Sequence, residues 1–366
     1  MILQIRVVAR HDTSGLKTFA TCRCSYLEGW LRENRVSSQW WTSSTPEKYN
    51  TCIPNAMTLS RRQNNRNQKH IMGAAQSVEP VDLKGKVAII TGANTGIGLI
   101  TAKEIAKMGA HVIVASRDPE RSLAAVEKLK EESGSQQIEF LQLDLASFAS
   151  VRDFAKAFHE KNLPLHILVN NAGVMALPQR QTTKDGLEMQ MGINHFGHFL
   201  LTNLLLDDLK KSAPSRIVNV SSEGHKMAKM NLEDINCEKP GSYGPWRVYG
   251  NSKLSNILFA MQLQKQFDQE KVDVSAWSLH PGTIRTELGR NLEGITGYLN
   301  RTIGPLFLKT PEQGALTSIF CAVRPEALQS RGKYMSNCRE AGTWHANEEL
   351  AEKLWKLSED ITGLKG

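Results

Sequence analysis

The stretch Val87-Ala88-Ile89-Ile90-Thr91-Gly92-Ala93-Asn94-Thr95-Gly96-Ile97-Gly98 constrains the fold of this chain more than any other. Four apolar residues between Lys86 and Thr91 read as a short buried strand, and glycines follow at 92, 96 and 98. An amphipathic segment starts at once with Leu99-Ile100-Thr101-Ala102-Lys103-Glu104-Ile105-Ala106. A strand that runs through a glycine turn into a helix aims free backbone N–H groups and the positive helix end at one spot. That spot suits a pyrophosphate, because glycine lets the backbone approach without a Cβ in the way. The spacing is G-x-x-x-G-x-G rather than G-x-G-x-x-G. The general dinucleotide fingerprint is therefore met only loosely, and an ordinary glycine-rich turn is the competing reading.

From Lys84 onward, strand and helix signals alternate. After Val87–Ile90 and a helix stopped at Gly109 comes the strand 111–115, then a helix opened by Asp118 as cap and Pro119 at its first position. The strand 138–143 precedes a helix capped at Ser147 or Ser150, and the strand 165–169 leads into Asn170-Asn171-Ala172-Gly173. One long helix is expected over 187–211, a strand over 216–220, a helix from about 248 to 267 and a strand over 272–279. Thr310-Pro311-Glu312-Gln313 reads as a capping-box start, and 348–362 as an amphipathic helix. Such alternation specifies right-handed βαβ units, hence an α/β fold with a Rossmann-type, doubly wound parallel sheet.

At 366 residues with 40% apolar content, the chain is long enough for one large α/β domain plus additions. The net charge of +8 is concentrated at the start: residues 1–70 hold 11 basic and 4 acidic side chains, against 34 and 33 in the remainder. The body is electrically ordinary, so no nucleic-acid partner is expected of it. The six scattered cysteines lack C-x-x-C pairs, which excludes a metal framework and suits a reducing compartment. No window reaches 18 consecutive apolar residues, and the start lacks the apolar run of a secretory signal. Residues 83–366 form the expected domain. Residues 1–82 are an extension that reads as disordered, or as an Arg-rich mitochondrial targeting segment. Met72-Gly73-Ala74-Ala75-Gln76-Ser77 also fits a myristoylation pattern, should translation begin there. A cytoplasmic or peripherally membrane-associated protein is expected, and no feature sets an oligomeric state.

In doubly wound sheets, ligands sit at the carboxyl ends of the strands. The first strand ends in Gly92, Asn94, Thr95, Gly96, Ile97 and Gly98. The second ends at Ser116-Arg117, 18 residues after Gly98, about where an NAD site carries a ribose-binding acid. Serine replaces the acid and Arg117 adds a cation, which favours the 2′-phosphate of NADP(H). Asp144 and Leu145 close the third strand, where Asp144 either accepts from the adenine amino group or caps a turn. The small residues Asn171, Ala172 and Gly173 let the chain pass beneath a flat cofactor. Tyr249 and Lys253 stand four apart, on one face of a helix.

The chain from about Lys84 to Gly363 resembles the short-chain dehydrogenase/reductases, over about 280 of its 366 residues. The marks are Thr91-Gly92-x-x-x-Gly96-x-Gly98, Asn170-Asn171-Ala172-Gly173, Ser222, Tyr249-x-x-x-Lys253 and Pro281-Gly282. It is similar to the retinol dehydrogenase branch and its relative, the WW-domain oxidoreductase, in Gly192-Ile193-Asn194-His195-Phe196-Gly197-His198-Phe199 and His280-Pro281-Gly282-Thr283-Ile284-Arg285-Thr286. The N-terminal membrane helix of the first and the WW modules of the second are not seen in the sequence.

The resemblance implies a mechanism. Tyr249 acts as general acid or base, Lys253 and the positive nicotinamide ring lower its pKa, Lys253 also holds the nicotinamide ribose and relays the proton, and Ser222, rather than Ser221, binds the substrate oxygen. Asn194 holds a relay water, or is a helix-interior residue paired to backbone. Pro281, Gly282 and Thr283 close over the carboxamide. Leu292, Ile295, Tyr298, Leu299, Ile303, Leu306 and Phe307 read as an apolar lid or as the core side of a helix. An apolar lid fits a small lipophilic carbonyl or alcohol, retinol and retinal foremost, with steroid or general carbonyl reduction as the alternative. A partner-binding scaffold is the competing class; for it an intact Ser222, Tyr249 and Lys253 would be superfluous. His225 and Cys237 carry no assignment.

Overall fold

A computed structural model describes residues 78–282 and 310–364. Thr283, the apolar segment 288–308 and the N-terminal arm through Ser77, including the Met72 motif, lie outside the described residues.

Strand β1 (Val87–Thr91) is buried along its whole length. Its alternate side chains serve two cores: Ala88 and Ile90 join one apolar cluster, Val87 and Ile89 the other. A strand apolar on both faces belongs in the middle of a parallel sheet covered on both sides. The glycine turn feeds α1 (Gly96–Lys107), which is followed by β2 (His111–Ser116), α2 (Pro119–Ser133) and β3 (Ile138–Gln142). Then come α3 (Phe148–Glu160) and β4 (Ile167–Asn170). The expected caps recur in place. Asp118 accepts from Arg121 N ahead of Pro119, and Ser147, not Ser150, caps α3.

The expected single helix over 187–211 is broken into pieces. A turn at Met189–Met191 passes into a π-helical segment at Gly192–Phe196, then into α4 (Gly197–Leu204) and α5 (Leu206–Lys211). Glycine allows the close approaches at both ends of the π segment. A Cβ on Gly192 would lie 2.3 Å from Thr183 Cγ2, and one on Gly197 2.6 Å from the Leu145 carbonyl oxygen. Next come β5 (Ser215–Val220), α6 (Pro245–Glu270), β6 (Val274–His280), α7 (Pro311–Val323), β7 (Tyr334–Ser336), β8 (Arg339–Glu340) and α8 (Glu348–Thr362). Helix α7 opens with the full Thr310–Gln313 capping box.

The eight strands run in the order β3-β2-β1-β4-β5-β6-β7-β8, parallel throughout except for the antiparallel β7–β8 pair. The order reverses direction between β1 and β4, the switch point where such sheets bind ligands. The short strands β7 and β8 were not foreseen; at 3 and 2 residues they are too brief to show a period. Among the described residues no helix is long and apolar enough to cross a membrane.

On one face Trp277 of β6 is wholly buried, donates from Nε1 to Ala327 O at 3.1 Å and lies under the Arg216 guanidinium. Trp277→Ala should cost about 3–5 kcal/mol of unfolding free energy. Chemical denaturation measures this, and a loss below about 1 kcal/mol would show that the site collapses to fill the cavity.

Candidate active site

The glycine turn opens onto a cavity of about 260 Å³ at the switch point. It runs from Arg117 and Arg121 past Thr95 and Gly96 to Gly173 and Val174. Gly92 and Gly96 have φ of 65° and 59°, a conformation that glycine adopts without strain. A Cβ on Gly98 would fall 2.5 Å from both Gly92 O and Asn171 Nδ2, so the first turn of α1 is pressed against the end of β4. Thr95 makes no side-chain cap to α1, and the helix has no acid in its first turn. Its leading amides are thus available to an anion, as a dinucleotide's pyrophosphate requires. The residues present fit such a cofactor.

At one end of the cavity Ser116 is buried, with Oγ 2.5 Å from Ser122 Oγ, which in turn donates to Asp118 O. Arg117 is exposed at the rim, and Arg121, one turn into α2, lines the same end. Arg121 escaped the sequence reading, although its spacing of four from Arg117 was a usable signal. Asp144 caps a turn, as one of its two readings has it. It lines the cavity, but one oxygen accepts from Ala146 N at 3.1 Å and the other pairs with Lys184 at 3.3 Å. The floor is Asn171, Ala172 and Gly173. Asn171 Nδ2 donates to Thr91 O at 2.8 Å, and a Cβ on Gly173 would lie 3.5 Å from Lys253 Nζ.

Ser222, Tyr249 and Lys253 meet at the other end. Ser222 ends the β5 segment, and its Oγ accepts from Gly224 N at 3.0 Å in the 3-10 turn Glu223–Met227. Two glycines let α6 come against this turn: a Cβ on Gly250 would lie 2.8 Å from Gly224 O, and one on Gly224 2.8 Å from Tyr249 Cε1. Tyr249 is buried against the Ser222 turn, and burial pushes its pKa up although the Ser222 hydroxyl favours the phenolate. Ser221 points elsewhere, donating to Lys253 O at 2.6 Å. Lys253 is 4% exposed and donates to Val220 O at 3.0 Å, 5.7 Å from the Tyr249 ring centroid. Burial lowers it to about 8. Desolvation governs the phenol among these residues, and the Lys253 ammonium is aimed at a backbone carbonyl.

Asn194 lies in the π segment and is fully buried. Its Oδ1 accepts from Val174 N at 2.8 Å, and its Nδ2 donates to Val174 O at 3.0 Å and Ser252 Oγ at 2.9 Å. Pro281 and Gly282 follow β6, with Gly282 at φ 101°. His225 is buried: Nδ1 donates to Ser222 O at 2.7 Å, while Nε2 accepts from Trp344 N at 3.3 Å. It therefore supports the serine turn, a role that no local sequence signal marks.

A doubly wound sheet with a phosphate-ready turn and a Ser–Tyr–Lys cluster at its switch point defines a nucleotide-dependent oxidoreductase fold. The short chain dehydrogenase family model matches residues 86–294, and the chain belongs to that family. It is 42% identical over 285 residues to the human polyprenol dehydrogenase, covering 76% of this chain and 86% of that relative. It is 45% identical over 287 residues to mouse retinol dehydrogenase 11, covering 78% and 88%. Among solved structures, an uncharacterized protein from Mycobacterium Paratuberculosis superposes with a TM-score of 0.64 at 32% identity, over 78% of this chain and 96% of its own.

Gly98→Ala should weaken NAD(P) binding by at least tenfold, about 1.4 kcal/mol, because the added methyl collides with backbone as well as with Asn171. Fluorescence titration measures it; unchanged affinity would show that the turn does not hold the cofactor.

Proposed function

We propose that the chain is an NADP(H)-dependent oxidoreductase that interconverts a lipophilic alcohol and its aldehyde or ketone, retinol and retinal foremost. The observation that carries this reading is the Tyr249 ring packed against the Ser222–Gly224 turn, with Lys253 buried beside the cavity floor. When bound, the nicotinamide supplies or accepts the hydride. In reduction, Ser222 Oγ hydrogen-bonds the carbonyl oxygen and steadies the charge that grows on it. Tyr249 gives that oxygen its proton. A phenol held above its ordinary value is protonated at neutral pH, the state that the acid role requires. Lys253 would hold the nicotinamide ribose and return a proton to the phenol. An amine lowered to about 8 exchanges protons near neutral pH.

Arg117 and Arg121 at the adenosine end, with Ser116 where an acid would repel phosphate, support NADP(H) over NAD(H). The relatives at 42% and 45% identity are a polyprenol and a retinol dehydrogenase, and both polyprenols and retinol are isoprenoid alcohols. A longer polyprenol is therefore the second substrate reading.

Tyr249→Phe should lower NADPH-dependent reduction of retinal by at least about 100-fold while cofactor affinity changes less than about threefold. Undiminished turnover would remove Tyr249 from the chemistry. Arg117→Asp should shift the NADPH/NADH ratio of kcat/KM toward NADH by at least tenfold, about 1.4 kcal/mol; an unchanged ratio would discredit the 2′-phosphate assignment.

A further inference from the structure

His198 is 1% exposed, touches neither the cavity nor the Ser–Tyr–Lys cluster, and is left unused by the reading above. Its ring bridges two parts of the site. Nε2 lies 2.8 Å from Thr91 Oγ1, at the end of β1, and Nδ1 lies 3.1 Å from the carbonyl oxygen of Asn194. Counting protons fixes the state of the ring. Thr91 Oγ1 accepts from the amides of Asn171 and Ala172, each at 2.9 Å. A hydroxyl has two acceptor positions and one proton, so both acceptor positions are filled. The remaining proton has two candidate acceptors, Val169 O at 3.4 Å and His198 Nε2 at 2.8 Å. Giving it to Val169 would leave His198 either protonated on Nε2, which crowds a third donor onto Thr91 and sets two acceptors face to face at Asn194, or protonated on Nδ1, which leaves Nε2 facing a Thr91 oxygen with no proton between them. Thr91 therefore donates to Nε2, and the ring's own proton sits on Nδ1, where it donates to Asn194 O. Burial, with Lys253 near by, holds the ring's pKa down to about 3, so it stays neutral.

Each end of this bridge leads to a functional part. Asn171 and Ala172 form the cavity floor. Asn194 holds Val174 at the cavity's far end and donates to Ser252 Oγ, which in turn donates to Tyr249 O at 2.8 Å. The wide π turn contributes: Gly197 N bonds Gly192 O, five residues back, rather than the usual four.

We propose that His198 is a positioning residue that ties the cofactor floor at Asn171 and Ala172 to the Asn194–Ser252–Tyr249 arm through one neutral tautomer, protonated on Nδ1. The proposal rests on the assignment of a dinucleotide to this cavity.

Two substitutions in the full chain separate the halves of the bridge. His198→Asn keeps a donor near Nδ1 and removes the acceptor for Thr91. It should weaken NADPH binding about tenfold, or 1.4 kcal/mol, with kcat for retinal within about threefold of the parent. His198→Gln places an amide oxygen near Nε2 and removes the donor to Asn194. It should leave NADPH affinity within about threefold and lower kcat about tenfold or more. This crossed pattern is the expected result; equal losses in both quantities, or no loss in either, overturns the proposal. Binding is read by fluorescence quenching without turnover. A parent protein inactive on every alcohol therefore sinks the enzyme reading, while the two affinities still judge His198. Should neither variant fold, nitrogen NMR of the His198 ring in the parent protein decides: a proton on Nδ1 alone supports the bridge, and a proton on Nε2 or a charged ring overturns it.

Discussion

The structure depends on how the ends of β1 and β4 are held together where the sheet reverses direction. Two neighbouring strands must diverge there to open a crevice, yet their last peptide groups still need partners, because an unpaired buried amide costs about 1–3 kcal/mol. Thr91 resolves this conflict. Its single hydroxyl takes the amides of Asn171 and Ala172, and the Asn171 side chain returns a bond to Thr91 O. The crevice is thereby closed below by hydrogen bonds and open above, with the glycine turn on one side. The closeness of Gly98 to Asn171 follows from the same seam.

The reacting end is organised by burial. Lys253 and Tyr249 lie inside the protein, each partnered, and desolvation moves their pKa values in opposite directions. Charge becomes costly and protons become mobile in such a setting. The Ser222 turn is fastened independently of the substrate by Gly224 N, by His225 and by the close packing of Gly250. His280 Nδ1 accepts from Glu223 N at 3.3 Å, joining the end of β6 to the same turn. A serine held from several sides is preorganised for a growing negative charge, and that is where electrostatic catalysis gains most.

Much of this was legible in the chain. The βαβ rhythm, the Asp118, Ser147 and Thr310 caps and the amphipathic α8 are local features, decided within a few residues, and the structure reproduces them. Helix 187–211 was misread because most of its residues from Gln190 to Thr202 are buried on every side. A helix without a polar face has no phase from which a π turn or a break shows. His198 and His225 went unassigned for a different reason. Their partners lie in other elements, from Thr91 to Trp344, and spacing along the chain cannot register a contact across a sheet.

The sequence by itself determined the class of fold, the turn that meets a phosphate, the cation at the end of β2 and the Tyr–Lys pair on one helical face. Each follows from backbone sterics or helical period, which act over a handful of residues. Tertiary structure alone decided that the Ser221 hydroxyl is tied to Lys253 O, that Lys253 bonds Val220 O, and that a neutral histidine spans the two halves of the site. These depend on the direction of a hydroxyl, the depth of an ammonium and the tautomer of a ring. All three are set by dense packing and by the need to satisfy every buried polar atom.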